Sequence, residues 1–175
     1  MSGASNTNLF RWTLGVRALA NQIDRATLRT TLTYKVHPRF SLGAEYNPLA
    51  NSASPLANWL AVSETEKRPA LIFGTSYDRI GTPHGQSFYA TVSKSLEGEI
   101  GLPIAPYLGV AYGTFEDRLR PIGGVNIELG KNFSGLVIFD GLHAHPALSY
   151  SYQRHVFTFL LIRGRDPGVS YSISF

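Results

Sequence analysis

From Phe10 onward the chain alternates with period two. Phe10, Trp12, Leu14, Val16, Ala18 and Ala20 fall on one face, and Arg11, Thr13, Gly15 and Arg17 on the other, with Leu19 out of step. Alternation sustained over this length predicts a β-strand with one apolar side. After turn-forming residues at 21–24, a second run sets Ala26, Leu28, Thr30, Leu32, Tyr34 and Val36 opposite Arg25, Thr27, Arg29, Thr31, Thr33 and Lys35. In a third, Phe40, Leu42, Ala44 and Tyr46 alternate with Ser41, Gly43, Glu45 and Asn47. Residues 47–56 have the composition of a long loop, and 57–64 predict a short strand. Further strands are expected over 69–78, 87–96, 104–114, 119–129, 133–140, 147–153, 155–163 and 168–175, with tight hairpin turns at 130–132 and 153–154. The total is about twelve (10–12), enough for an up-and-down antiparallel sheet. One all-β domain over 9–175 follows, preceded by a flexible leader at 1–8. No repeat with a period of roughly 20–50 residues marks a propeller or solenoid.

Composition sharpens this reading. Only 16% of residues are charged, against about 25% in soluble domains. Mean hydropathy is −0.05, and no stretch approaches the roughly 20 apolar residues of a membrane-spanning helix. The absence of cysteine excludes disulfides and thiolate metal sites. The net charge of +4 comes from basic residues scattered singly, so no nucleic-acid partner is implied. Residues 1–8 are polar and carry no secretory signal. The polar strand faces hold mostly Gly, Ser, Thr and Ala with isolated Arg. A water-exposed exterior would be rich in Lys and Glu, whereas small residues suit a crowded lumen. The apolar faces carry aromatic residues near strand ends, as membrane-interface girdles do. Phe10, Trp12, Leu14, Val16, Leu28, Leu32, Tyr34, Leu108, Val110, Tyr171 and Ile173 are therefore expected to face lipid, with Arg17, Thr31, Gly109 and Ser172 inside.

The last residues add a second signal: Val169, Tyr171, Ile173 and Phe175 alternate with Gly168, Ser170, Ser172 and Ser174, and the sequence ends on Phe175. This resembles the C-terminal signature of bacterial outer-membrane β-barrel proteins. The resemblance implies a transmembrane barrel in the bacterial outer membrane, with outer-membrane lipid and the barrel-assembly machinery as partners.

If both termini are periplasmic, connections at 21–24, 47–56, 78–86, 115–118, 141–146 and 164–167 share the outer mouth, and the shorter hairpins lie at the other end. Asp78, Arg79, Glu116, Asp117, Arg118, Asp140, His143, His145, Arg163, Arg165 and Asp166 would gather at that mouth. Asp140, His143 and His145 have the chemistry of a divalent-metal site, or of an acid/base pair beside Ser149 or Ser87. They equally suit a hydrogen-bonded loop rim, and no metal is assigned. Arg11, Arg17, Arg25, Arg29 and Lys35 form a basic lumenal wall, a guide for anions or a ladder neutralised by Glu45 and Glu128. No phosphate cradle or dinucleotide fingerprint occurs, so no cofactor is expected. The expected function is non-enzymatic: a narrow conduit for small, preferentially anionic solutes, or a structural barrel presenting its outer loops. The alternatives are an outer-leaflet lipid hydrolase using the loop histidines and a soluble ligand-binding β-barrel.

Overall fold

The computed structural model describes residues 10–175, so the leader expected at 1–8 lies outside the described residues. Twelve strands run in sequence order: β1 (Trp12–Leu19), β2 (Leu28–His37), β3 (Phe40–Asn47), β4 (Ser52–Val62), β5 (Ala70–Tyr77), β6 (Gln86–Ser93), β7 (Ile104–Gly113), β8 (Arg118–Glu128), β9 (Phe133–Phe139), β10 (Ala144–Tyr152), β11 (His155–Ile162) and β12 (Asp166–Ser174). Each pairs antiparallel with its sequence neighbours, and β12 pairs with β1 to close a barrel. Short helical turns α1 (Asp24–Thr27) and α2 (Glu97–Ile100) occupy two connections.

Closure turns the period-two pattern into an outside and an inside. Along β1, exposure alternates residue by residue, with Trp12, Leu14 and Val16 outward and Thr13, Gly15 and Arg17 inward. The register carries this parity across the seam: Leu14 stands opposite Leu32 and Ile173, while Arg17 stands opposite Arg29 and Ser170. On β7, Leu108 and Val110 face out and Gly109 faces in, Leu108 being 65% exposed. Large apolar side chains thus cover the exterior, and the few buried ones, such as Leu19, Ala26 and Ile162, cluster at one end.

Inside, two tyrosines lie across glycines on neighbouring strands. Gly74 pairs with Tyr89 and Tyr107 with Gly124, and a Cβ at either glycine would collide with the facing ring. Tyr89 Oη donates to Asn58 Oδ1 on β4, which fixes that ring over Gly74 of the intervening β5. Ring over glycine lets each aromatic fill space above a wall position that has no side chain.

The elements depart from the sequence pattern in four places. Residues 47–56 are not a long loop: Pro48–Ala50 form one 3-10 turn, Asn51 takes the left-handed conformation at φ 44, and β4 begins at Ser52. Ser, Ala and Pro imitate a loop there because their inward and outward faces are equally small. β10 starts at Ala144, and Pro146 is accommodated opposite Val137, which brings His145 onto a strand. Arg25 lies on α1 rather than on the second strand, where Thr27 Oγ1 donates to Gln22 O and Ile23 O and closes the turn. The lower end, opposite the connections through 48–51 and 78–85, carries short hairpins but also the long connections at 63–69 and 94–103.

Gly74→Val is expected to lower unfolding stability by about 1–3 kcal/mol, because the new side chain must displace the Tyr89 ring or the strand beneath it. The midpoint of urea unfolding measures this; Gly98→Val, at a position with open space around it, is the control expected to shift little.

Candidate functional site

The upper end is capped from within. The β5–β6 connection (78–85) starts on the far side of the ring, yet Ile80 packs against the cluster of Leu19 of β1, Ala26 of α1 and Ile162 of β11, which Leu160 also joins. Arg25 holds the connection in place. Its Nε donates to Thr82 O at 2.5 Å and its Nη2 to Arg79 O at 2.7 Å and Thr82 Oγ1 at 3.1 Å, while the guanidinium sits 4.6 Å from the centroid of the Tyr77 ring. Asp78 anchors the loop base, accepting from Arg79 N at 2.8 Å and Phe115 N at 3.2 Å. A Cβ on Gly113 would strike the Asp78 carboxylate, so glycine is what permits that approach.

Around the cap runs a ring of paired charges. Glu116 pairs with Arg79 and, at 2.6 Å, with Arg120 Nη2. The hydrogen bonds from Arg79 and Arg120 hold the Glu116 carboxyl down at about 2. Asp117 accepts from Tyr112 Oη. Asp166 meets Arg165 at 3.5 Å and accepts from Asn21 Nδ2 at 3.3 Å. Below the cap lies a cavity of about 190 Å³ whose lining includes Ser87, Tyr89, Glu116, Arg118, Arg120 and Asp140.

Asp140, His143 and His145 are brought together, but as a brace. Asp140 Oδ1 accepts from Leu142 N at 2.9 Å and His143 N at 2.8 Å, and its Oδ2 lies 3.0 Å from His145 Nε2. His145, 4% exposed, accepts from Arg163 N at its Nδ1. An imidazole accepting at Nδ1 must carry its proton on Nε2 and donate it to Asp140. Burial pushes the Asp140 carboxyl up, but the bonds from His145, His143 and Leu142 outweigh it and bring the group to about 2. The His143 ring centroid stands 6.5 Å from that of His145. Ser149 Oγ bonds Thr158 Oγ1 at 2.8 Å, and Ser87 lines the capped cavity. Among the described residues, no group of three His, Asp or Glu side chains is placed to hold a metal ion.

The basic wall divides. Arg17 and Arg29 face the lumen side by side, and Lys35 faces it lower on β2. Arg11 lies just before β1, exposed, and donates to the outward Tyr34 Oη at 3.3 Å, while Arg25 belongs to the cap. Arg29 Nε approaches Glu45 Oε2 at 2.6 Å, an ionic contact whose N–H does not point along it. Glu45, 2% exposed, takes Asn47 Nδ2 on its other oxygen at 3.2 Å. A second cavity, of about 280 Å³, lies beside Arg17 and Arg29. Sequence reasoning passed over Asn47, although it lies two residues from Glu45 on the same face. It also had no signal for the Arg25–Thr82 contact.

Val169, Tyr171 and Ile173 lie on the outward face of β12, where the register sets them opposite Ala18, Val16 and Leu14. Phe175 exchanges both backbone hydrogen bonds with Trp12 at 2.9 Å, completing the seam. Compared with known proteins, the chain matches no family model, and no curated sequence matches it.

Asp140→Asn places an amide N–H against the His145 Nε2–H unless the side chain turns, and is expected to cost about 1–3 kcal/mol. A carboxyl held at about 2, against its ordinary 3.8, stabilises the fold fully above pH 4 and loses that contribution as pH falls toward 2. The wild type is therefore expected to lose more stability than Asp140→Asn between pH 5 and pH 2, read from urea midpoints across that range.

Proposed function

We propose that the chain is a transmembrane β-barrel of the bacterial outer membrane, non-enzymatic, closed at its outer mouth and presenting a charged rim there. One observation carries the membrane reading: the exterior of the closed barrel is apolar while its interior is polar. Leu108, Leu119, Phe157, Phe159 and Val169 are among the large apolar side chains about half exposed or more, spread round the ring on β7, β8, β11 and β12. A water-soluble monomer rarely exposes contiguous apolar surface beyond a few hundred Å². Lipid is the solvent that surface matches, and a closed barrel satisfies its backbone hydrogen bonds as a membrane requires. The alternating outward residues Val169, Tyr171 and Ile173 of β12 support assembly by the outer-membrane machinery, as their resemblance implies.

The cap supports a closed resting state. Residues 78–85 reach across the mouth and are held by four hydrogen bonds from Arg25, one of them long at 3.4 Å. The His145 brace, with both ring nitrogens engaged, favours this reading over a hydrolase. A conduit for small anions is the second reading, favoured by the lumenal arginines beneath the cap.

Reconstituted into planar bilayers, the wild-type chain is expected to insert and to show rare, brief openings. Arg25→Gln, which removes most of the bonds to the loop, is expected to raise open probability about tenfold or more, the effect of a few lost buried hydrogen bonds. A chain that does not float with phospholipid vesicles would overturn the membrane reading. Equal conductance in wild type and Arg25→Gln would overturn the cap.

A further inference from the structure

The lumen wall made by β1, β2 and β3 holds two guanidiniums and one carboxylate. Glu45 has Arg29 in ionic contact with Oε2 and takes a hydrogen bond from Asn47 on Oε1, while Oε2 itself accepts no hydrogen bond. Arg17 makes no hydrogen bond or ion pair among the described residues, and its Nε is shielded from solvent. Glu45 attracts Arg17 without touching it, and one carboxylate against two guanidiniums leaves part of the desolvation cost uncompensated, which an anion would relieve.

The cavity of about 280 Å³ in front of Arg17 is two-sided. The lining holds the hydroxyl residues Thr31, Ser170 and Ser172 on the strands of the arginines and on β12, and the apolar Leu136, Ile138 and Leu160 on β9 and β11. Leu160 lies on β11 beside β12, and Leu136 and Ile138 on β9, with three strands between β9 and β1, so the lining passes from polar to apolar round one part of the lumen wall. Leu160 also packs against the apolar cluster of Leu19, Ala26 and Ile162 that Ile80 joins, so the cavity adjoins the capped end. An inorganic anion would satisfy Arg17 and leave the leucine wall against water, whereas an apolar solute would do the reverse.

We propose that this cavity binds a small amphipathic anion, a monocarboxylate with a short acyl chain, its carboxylate on Arg17 and its chain against Leu136, Ile138 and Leu160. The volume equals that of about nine waters, which suits an acid of roughly six carbons. The site rests on the membrane-barrel reading only in needing a lumen closed off from bulk water. It gives that lumen a ligand class.

The test uses the full chain folded in nonionic detergent and equilibrium dialysis with labelled hexanoate, counted above partition into empty micelles. Heat-modifiable gel migration of every sample reports barrel folding, and vesicle flotation reports the membrane reading separately. Saturable hexanoate binding is expected, weakened about tenfold or more in Arg17→Gln, retained within about threefold in Arg17→Lys, and abolished by Ala147→Phe, which fills the cavity. Acetate and hexan-1-ol are each expected to bind about tenfold more weakly than hexanoate. No saturable binding by a folded barrel, equal binding by wild type and Arg17→Gln, or acetate binding as tightly as hexanoate would each overturn the site. Failure of flotation alone would overturn the membrane reading and leave the binding result standing.

Discussion

Everything in this molecule depends on the ladder between β1 and β12. Seven residue pairs, from Thr13 opposite Ser174 to Leu19 opposite Gly168, join the ends of the chain, and the Trp12–Phe175 backbone bonds extend the seam. Without it the sheet has two open edges and no defined interior. With it each backbone donor along the strands has a neighbour, edges vanish, and the pleat assigns every side chain to a lumen or an exterior. A one-residue slip at the seam would exchange Arg17 for Val16 and place a guanidinium on the apolar surface.

Because the apolar residues face out, a buried hydrophobic core contributes little to holding the barrel together. Cohesion of the interior comes from specific polar contacts and from rings laid over glycines. Arg29, Glu45 and Asn47 form one such unit, Arg79, Glu116 and Arg120 a second, and Asp140 with His145 a third. In a confined lumen such groups matter less for their net gain than for the penalty of leaving one unmatched. That reasoning sets Arg17 apart. The same penalty bears on the cap, where Arg25 donates to the carbonyl oxygens of Asp78 and Thr82 and shares that of Arg79 with Thr82.

The barrel was legible in the sequence where side chains differ sharply between faces. β1, β2 and β7 could be oriented residue by residue because Trp, Leu and Val alternate with Gly, Thr and Arg. Legibility failed where the contrast is small. Ser52–Pro55 reads as loop because neither face carries a bulky residue, and Pro146 hides the start of β10 although its missing N–H is tolerated there. Arg25 continued the alternation of Thr27 and Arg29 so well that the one helical turn containing it could not be seen. Strand parity assigned the polar connection residues to one mouth of the barrel. Its internal wiring was not legible, since the Arg25–Thr82 and Arg79–Glu116 contacts join residues 57 and 37 positions apart.

The most direct measurement concerns the solvent on the apolar face. Leu108 stands at mid-strand on β7, 65% exposed and pointing away from the lumen. Leu108→Arg, unfolded reversibly from phospholipid vesicles by urea, is expected to be destabilised by about 2–4 kcal/mol, the cost of an arginine facing lipid near the bilayer midplane. A change within about 0.5 kcal/mol, the ordinary effect of a substitution on a water-exposed surface, would contradict the membrane barrel.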